Sequence, residues 1–190
     1  MLSSAVNKYA DFYGVVCGQK TVFFTNNDSA YESAFCLHNK GIKVEAIIDI
    51  RDNSNSKIVK AVEDAGIKIH WSHTVVDTSG YKRLKNISVM KLSNDGMSVT
   101  GNRIKISSDC LGISGGWTPA VHLFTQSGGK LTFDEENKVF LPNKYPSKQI
   151  SIGSCNGDFE ISEIIKNLSK NLKEFLKIEQ TDFDNISVES

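Results

Sequence analysis

Five consecutive residues, Thr25-Asn26-Asn27-Asp28-Ser29, present hydroxyl, amide and carboxylate groups where an apolar run, Lys20-Thr21-Val22-Phe23-Phe24, gives way to a helical pattern, Ala30 to Lys40. A turn at the head of a helix can hold a phosphate, because the first helical N–H groups point outward unpaired and the helix dipole favours an anion there. Hydroxyl and amide side chains add donors. A second apolar run, Val44-Glu45-Ala46-Ile47-Ile48, ends in Asp49, with Arg51 two residues on. A carboxylate about 20 residues past such a turn is placed to accept hydrogen bonds from ribose hydroxyls. Arg51 can stack on an adenine or pair with Asp49.

The turn departs from the usual diphosphate cradle. Glycine normally lets backbone approach a diphosphate closely. Thr25 and Asn27 take more room, although Asn tolerates left-handed geometry. Asp28 repels a diphosphate, and Asp28 or Asn27 can serve as the helix cap. Val75-Val76 follows the third strand, where an apolar wall for adenine or ribose belongs, and equally suits a core. Ser114-Gly115-Gly116 lets the chain pass close to a cofactor or to a neighbouring domain. No residue is assigned a catalytic role: Trp117 reads as a packing residue, and His122 has no acid or nucleophile partner in the sequence. His70 and His73 are expected on opposite sides of a strand end, so no metal site is expected there. Cys17, Cys36, Cys110 and Cys155 form no C-x-x-C pair and read as buried free thiols.

The elements that must position these groups alternate. A leading helix, Met1 to Tyr13, should present Ala5, Tyr9, Phe12 and Tyr13 on one face and end at Gly14. Strands follow at Thr21–Phe24, Val44–Asp49 and Ile67–Trp71, linked by helices at Ala30–Lys40 (buried face Ala30, Ala34, Phe35, Leu37-His38) and Lys57–Ala65. That is a βαβαβ unit with a parallel sheet, the layout of a dinucleotide-binding domain. Short strands at Thr74–Asp77, Leu84–Leu92 and Arg103–Ile106, with Gly- and Asn-rich turns, predict an antiparallel meander. A buried strand, Cys110–Ile113, leads to Ser114-Gly115-Gly116. A short helix at Ala120–Gln126, a hairpin of Lys130–Phe133 and Lys138–Leu141 around Asp134-Glu135-Glu136-Asn137, a strand Ile150–Ile152, a helix from Ser162 to Ile178 and a polar tail complete the chain.

The 190 residues carry 22 basic and 22 acidic side chains, with no basic tract, so no nucleic-acid partner is expected. No apolar run reaches the length of a membrane span and no signal-peptide core opens the chain, so a cytoplasmic, non-membrane protein is expected.

The order of these elements resembles the NAD(P) domain of the two-dinucleotide flavoprotein reductases. Where those enzymes carry Gly-x-Gly-x-Ser-Ala-x-Glu, this chain has Thr25-Asn26-Asn27-Asp28-Ser29-Ala30-Tyr31-Glu32, and Ser114-Gly115-Gly116-Trp117-Thr118-Pro119 stands at their closing Ala-Thr-Gly-x-x-Pro. The departures, with Ile47-Ile48-Asp49-Ile50-Arg51 and the stretch Ser114 to Leu131, resemble the α-subunit family of heterotetrameric sarcosine oxidases from roughly Ala5 to Leu176.

The resemblance implies an α/β chain: a leading helix and linker at 1–19, an NAD-binding Rossmann-like domain with meander at 20–127, the C-terminal part of an FAD-type domain at 128–180, and a tail at 181–190. It implies NAD as the cofactor of this segment, with FAD and FMN present only in the full complex alongside a flavin-bearing β subunit and smaller subunits. In that family the assembly converts sarcosine to glycine with tetrahydrofolate-linked one-carbon transfer. The chain would be a piece of such a subunit, lying between a first nucleotide fingerprint and a folate module, and inactive alone. Implied cofactor-binding residues are Thr25, Asn26, Asn27, Asp28, Ser29, Asp49, Arg51, Val76, Ser114, Gly115 and Gly116, with a flavin contact at Gly153 and Ser154. Gly157-Asp158 competes for that last place by its letters, while Gly153-Ser154 better fits the expected strand end.

Overall fold

The computed structural model describes residues 1–135, 138–146 and 148–176. Glu136 and Asn137 of the expected hairpin turn, the Ile178 helix end and the tail lie outside the described residues. The chain divides into two compact units, Met1–Gly116 and Trp117–Ser190, so position 127 falls inside the second.

In the first unit α1 (Ser3–Phe12) precedes β1 (Thr21–Thr25), α2 (Ser29–Asn39), β2 (Val44–Asp49), α3 (Lys57–Asp64) and β3 (Ile69–His70). An antiparallel meander follows, β4 (His73–Ser79), β5 (Asn86–Leu92) and β6 (Val99–Ser107), and then β7 (Cys110–Ser114). The main sheet is parallel with strand order β3-β2-β1-β7. The expected α/β architecture, a parallel sheet with a β-meander, is thus the observed one.

Side chains alternate across the pleat and give the sheet two buried faces. Phe23 and Ile47 pack with Val6 of α1, Ala30, Tyr31, Ala34 and Leu37 of α2, and Val59 and Val62 of α3. Val22, Ala46 and Ile48 pack on the other face against Ile87 and Val89 of the meander. Gly112 lies opposite Phe23, and a Cβ there would stand 2.6 Å from the Phe23 ring, so this position must stay bare.

Two helix faces differ from expectation. In α1 the buried residues are Ser3 and Val6, whereas Tyr9, Phe12 and Tyr13 are exposed and pack on one another. In α2 Tyr31 and Ser33 turn inward while His38 is exposed, because Tyr31 lies one turn from Ala34 and shares its face.

The second unit contains α4 (His122–Gln126), a hairpin of β8 (Lys130–Asp134) and β9 (Val139–Lys144), a 3-10 turn at Gly153–Asn156, and α5 (Ile161–Leu176). The strand expected at Ile150–Ile152 is absent. Ile152 is extended, yet no described strand pairs with it, and the chain enters the 3-10 turn directly.

Candidate functional site

The register of the parallel sheet sets Thr25 level with Asp49 on one side and with Ser114 on the other. Three segments singled out by sequence, the 25–29 turn, Asp49 with Arg51, and Ser114–Gly116, therefore meet at the carboxyl ends of adjacent strands. That edge is where open α/β sheets bind ligands.

Asn27 organises the turn. Its Oδ1 accepts from Ser29 N at 3.1 Å, Ser29 Oγ at 2.5 Å and Ser114 Oγ at 3.1 Å, and its Nδ2 donates to Asn26 Oδ1 at 2.8 Å and Ser114 O at 3.3 Å. Asn26 Nδ2 donates to Gly115 O at 3.2 Å. Thr25 Oγ1 accepts from Asn27 N at 3.1 Å and donates to Asn27 O at 2.8 Å. Side chains thus hold the shape that glycines allow elsewhere. Asp28 is the N-cap residue of α2 but makes no side-chain cap bond; Asn27 Oδ1 takes the Ser29 N–H instead. The N–H groups of Asp28 and Ala30 have no acceptor among the described residues. Gly115 has open space around its Cα, and Gly116, at φ +100°, has only the Asn26 amide near it. A diphosphate fits there in two respects, free N–H groups and bare backbone, and is opposed in one, the Asp28 carboxylate.

The acid and base at the end of β2 do not stand as expected. Asp49 is fully buried. Its oxygens accept from Tyr31 Oη at 2.8 Å, Arg51 N at 2.9 Å, Arg51 Nε at 3.1 and 3.2 Å, and Arg51 Nη2 at 2.7 Å. It therefore offers no surface to a ribose, and the direct contact expected of it is corrected to an inward one. Arg51, 29% exposed, covers it and also meets Asp28 Oδ1 at 2.7 Å. Its guanidinium lies over the Tyr31 ring, 5.9 Å from the centroid. Burial opposes the charge on Arg51, but hydrogen bonds to Asp49 and Asp28 outweigh it and raise its pKa. Burial likewise opposes ionisation of Asp28, yet hydrogen bonds from Ser56 and Arg51, the Arg51 charge and Ser54 hold its carboxyl below the ordinary value. Burial and then Asp49 push the Tyr31 hydroxyl up, so it stays a donor.

Beside Arg51 opens a polar cavity of about 570 Å³, lined by Arg51, Asp52, Ser72, Lys91 and the turn Ser93 to Gly96. Asp52 is occupied by Ser72 Oγ at 2.7 Å, and Asp95 by Ser93 and Met97 N. Val76 is half-buried at a bulge in β4 and is not among the residues lining this cavity. Gly153 and Ser154 belong to the second unit, in the 3-10 turn; the strand that favoured them over Gly157-Asp158 is missing.

Sequence reasoning gave no site role to Tyr31, Ser54 or the turn at 93–96, although it expected a turn at Asn94-Asp95-Gly96. Tyr31 was detectable from its three-residue spacing to Ala34. It also placed His70 and His73 on opposite sides, whereas their rings stand 5.4 Å apart, because Ser72 at φ 55° turns the chain between β3 and β4. Burial, with the charges of Lys68 and His73, holds the His70 pKa down. Trp117 is 61% exposed and not a packing residue within its unit. Of the four free cysteines only Cys110 is buried. Among the described residues no cluster of three or more His, Cys, Asp or Glu could hold a metal ion, and no helix is long and apolar enough to cross a membrane.

No family model matches the chain. It is 33% identical over 167 residues to the sarcosine oxidase subunit alpha of Corynebacterium sp. (strain P-1), covering 87% of this chain and 17% of that protein. The sarcosine oxidase subunit alpha of Rhizobium meliloti (strain 1021) is 31% identical over 159 residues, covering 82% of this chain and 14% of the relative. The expected resemblance to that subunit is therefore found, and the chain spans only 14% to 17% of the curated relatives it matches. Among solved structures, thioredoxin reductase of T. acidophilum superposes with a TM-score of 0.57 at 16% identity, covering 90% of this chain and 55% of that one. The bacillithiol disulfide reductase Bdr of Staphylococcus aureus gives 0.51 at 16% identity, covering 80% and 51%. These likenesses show the fold.

Proposed function

We propose that this chain is the dinucleotide-binding segment of a sarcosine oxidase α-like flavoprotein oxidoreductase, and that its ligand is NAD. The observation that carries the reading is the level alignment of Thr25, Asp49 and Ser114, which gathers the turn, the Arg51 cluster and Gly115-Gly116 along one edge of the parallel sheet. The diphosphate lies over the N-terminus of α2 and the bare Gly115-Gly116 backbone. The adenosine ribose meets the Arg51 cluster, and the base enters the cavity lined by Lys91 and Ser93. The relatives named sarcosine oxidase subunit alpha support a multi-subunit oxidoreductase setting. The reading extends to what the family resemblance implies: a flavin-bearing β subunit and smaller subunits, FAD and FMN in the complete assembly, and conversion of sarcosine to glycine with one-carbon transfer to tetrahydrofolate, in the cytoplasm. The described part of residues 128–180, with Gly153 and Ser154, then belongs to the C-terminal part of an FAD-type fold.

A second reading has its own observation. The side chains of the turn are largely occupied with one another and Asp49 is sealed inside, so the unit also suits a nucleotide-free scaffold that docks a flavin-bearing partner. A thermal-shift titration separates the two. NAD binding raises the melting temperature progressively, with stabilisation of about 2.7 kcal/mol when free ligand reaches about a hundred times Kd. An unchanged melting temperature at millimolar NAD would leave the scaffold.

A further inference from the structure

This inference rests on the reading of the first unit as an NAD site. We propose that Asp28 is the specificity-determining residue that keeps NADP out, by tying up the Arg51 guanidinium where an adenosine 2′-phosphate would need it.

Three observations carry it. Asp28 occupies the N-cap position of α2, but its carboxylate makes no cap bond, and the Ser29 N–H goes to Asn27 Oδ1. The carboxylate is free for another task, and it is held over Arg51 by Ser54 Oγ, 3.3 Å away. Next, Arg51 Nη2 stands 2.7 Å from Asp28 Oδ1 and 2.7 Å from Asp49 Oδ2, while Nε is spent on Asp49. A guanidinium has five N–H donors, and these contacts consume three of them. The fork that would grip a phosphate is thereby closed. Finally, the two acids differ in access. Asp49 is fully buried, whereas the Asp28 side chain is 34% exposed, so Asp28 is the carboxylate an incoming ribose meets.

Two carboxylates against one guanidinium leave an excess of one negative charge at this point. A neutral 2′-hydroxyl tolerates that excess and can donate to Asp28. A 2′-phosphate meets repulsion from Asp28 and no free arginine fork.

The test is calorimetry of NAD and NADP against the full 190-residue chain and three variants, Asp28→Asn, Arg51→Gln and the double variant. Wild type binds NAD more tightly than NADP. Asp28→Asn keeps the shape, removes the charge that competes for Arg51 Nη2, and shifts the NAD-to-NADP affinity ratio toward NADP by about tenfold or more. The double variant loses that gain, because the arginine delivers it. If Asp28→Asn does not fold, Asp28→Ser, a good N-cap residue, replaces it with the same expected shift. An unchanged ratio in a folded variant that still binds NAD overturns the role of Asp28 and leaves the NAD site standing. A wild-type chain that binds neither nucleotide overturns both.

Discussion

Tyr31 Oη donates a 2.8 Å hydrogen bond to Asp49 Oδ2 across 18 residues of sequence, with both residues fully buried. The bond ties the first turn of α2 to the last residue of β2, and Arg51 closes over it. A carboxylate placed for ligand contact by sequence spacing is thereby an internal anchor, and the outward acid is Asp28.

Removing that anchor should be costly. Asp49→Asn takes the charge from under Arg51 and leaves a buried site with mismatched donors, so it should cost about 3 kcal/mol. Tyr31→Phe deletes one bond and should cost about 1–3 kcal/mol. Urea denaturation of both variants gives the values. A loss below about 0.5 kcal/mol for Asp49→Asn would show that the network contributes nothing to stability.

Gly112→Ala should destabilise by about 1–3 kcal/mol, since the new Cβ would press on the Phe23 ring inside a closed core. The same denaturation experiment applies. A neutral result would mean that β7 moves away from β1 without cost.

Asn27→Ala should weaken both the fold and the nucleotide site. The variant strips the acceptor for Ser29 N, Ser29 Oγ and Ser114 Oγ and unties the turn from β7. A loss of about 1–3 kcal/mol is expected. NAD affinity should fall with it, measured by titration well below the variant's melting temperature. Wild-type stability and affinity together would remove Asn27 from its organising role.

His70 should make stability depend on pH. Its pKa in the folded chain lies below the ordinary 6.5, through burial first and then through Lys68 and His73. Between the folded value and 6.5 the unfolded chain binds more protons, so stability is full above 6.5 and falls as pH drops through that window. Urea midpoints at pH of about 8 and about 5 should differ less in His70→Leu than in wild type. Equal pH dependence in both would assign the effect to other groups.

Particular residues show where sequence legibility ends. The bounds of β2, Val44–Asp49, follow from a continuous apolar run between a glycine-terminated helix and an acid, and the structure has the same bounds. The Asp49–Arg51 pair was readable as one of two options. Burial of Asp49 was not, because it depends on Tyr31, whose polar tip conceals an inward position on α2. The meeting of His70 and His73 was hidden because strand periodicity does not carry through a left-handed residue such as Ser72. The strand at Ile150–Ile152 was expected from composition alone, and a strand needs a partner, which composition does not supply.

On the proposed reading a dinucleotide lies across the edge formed by the 25–29 turn, the Arg51 cluster and Gly115-Gly116. Backbone amide NMR of the uniformly labelled chain, titrated with NAD, tests it most directly. Saturable shifts should concentrate at Asn27, Asp28 and Ala30, at Arg51, and at Gly115 and Gly116, with the meander strands unmoved apart from Lys91, Leu92 and the turn at Ser93 to Gly96, which line the cavity. No saturable shift, or shifts gathered elsewhere in the chain, would contradict it.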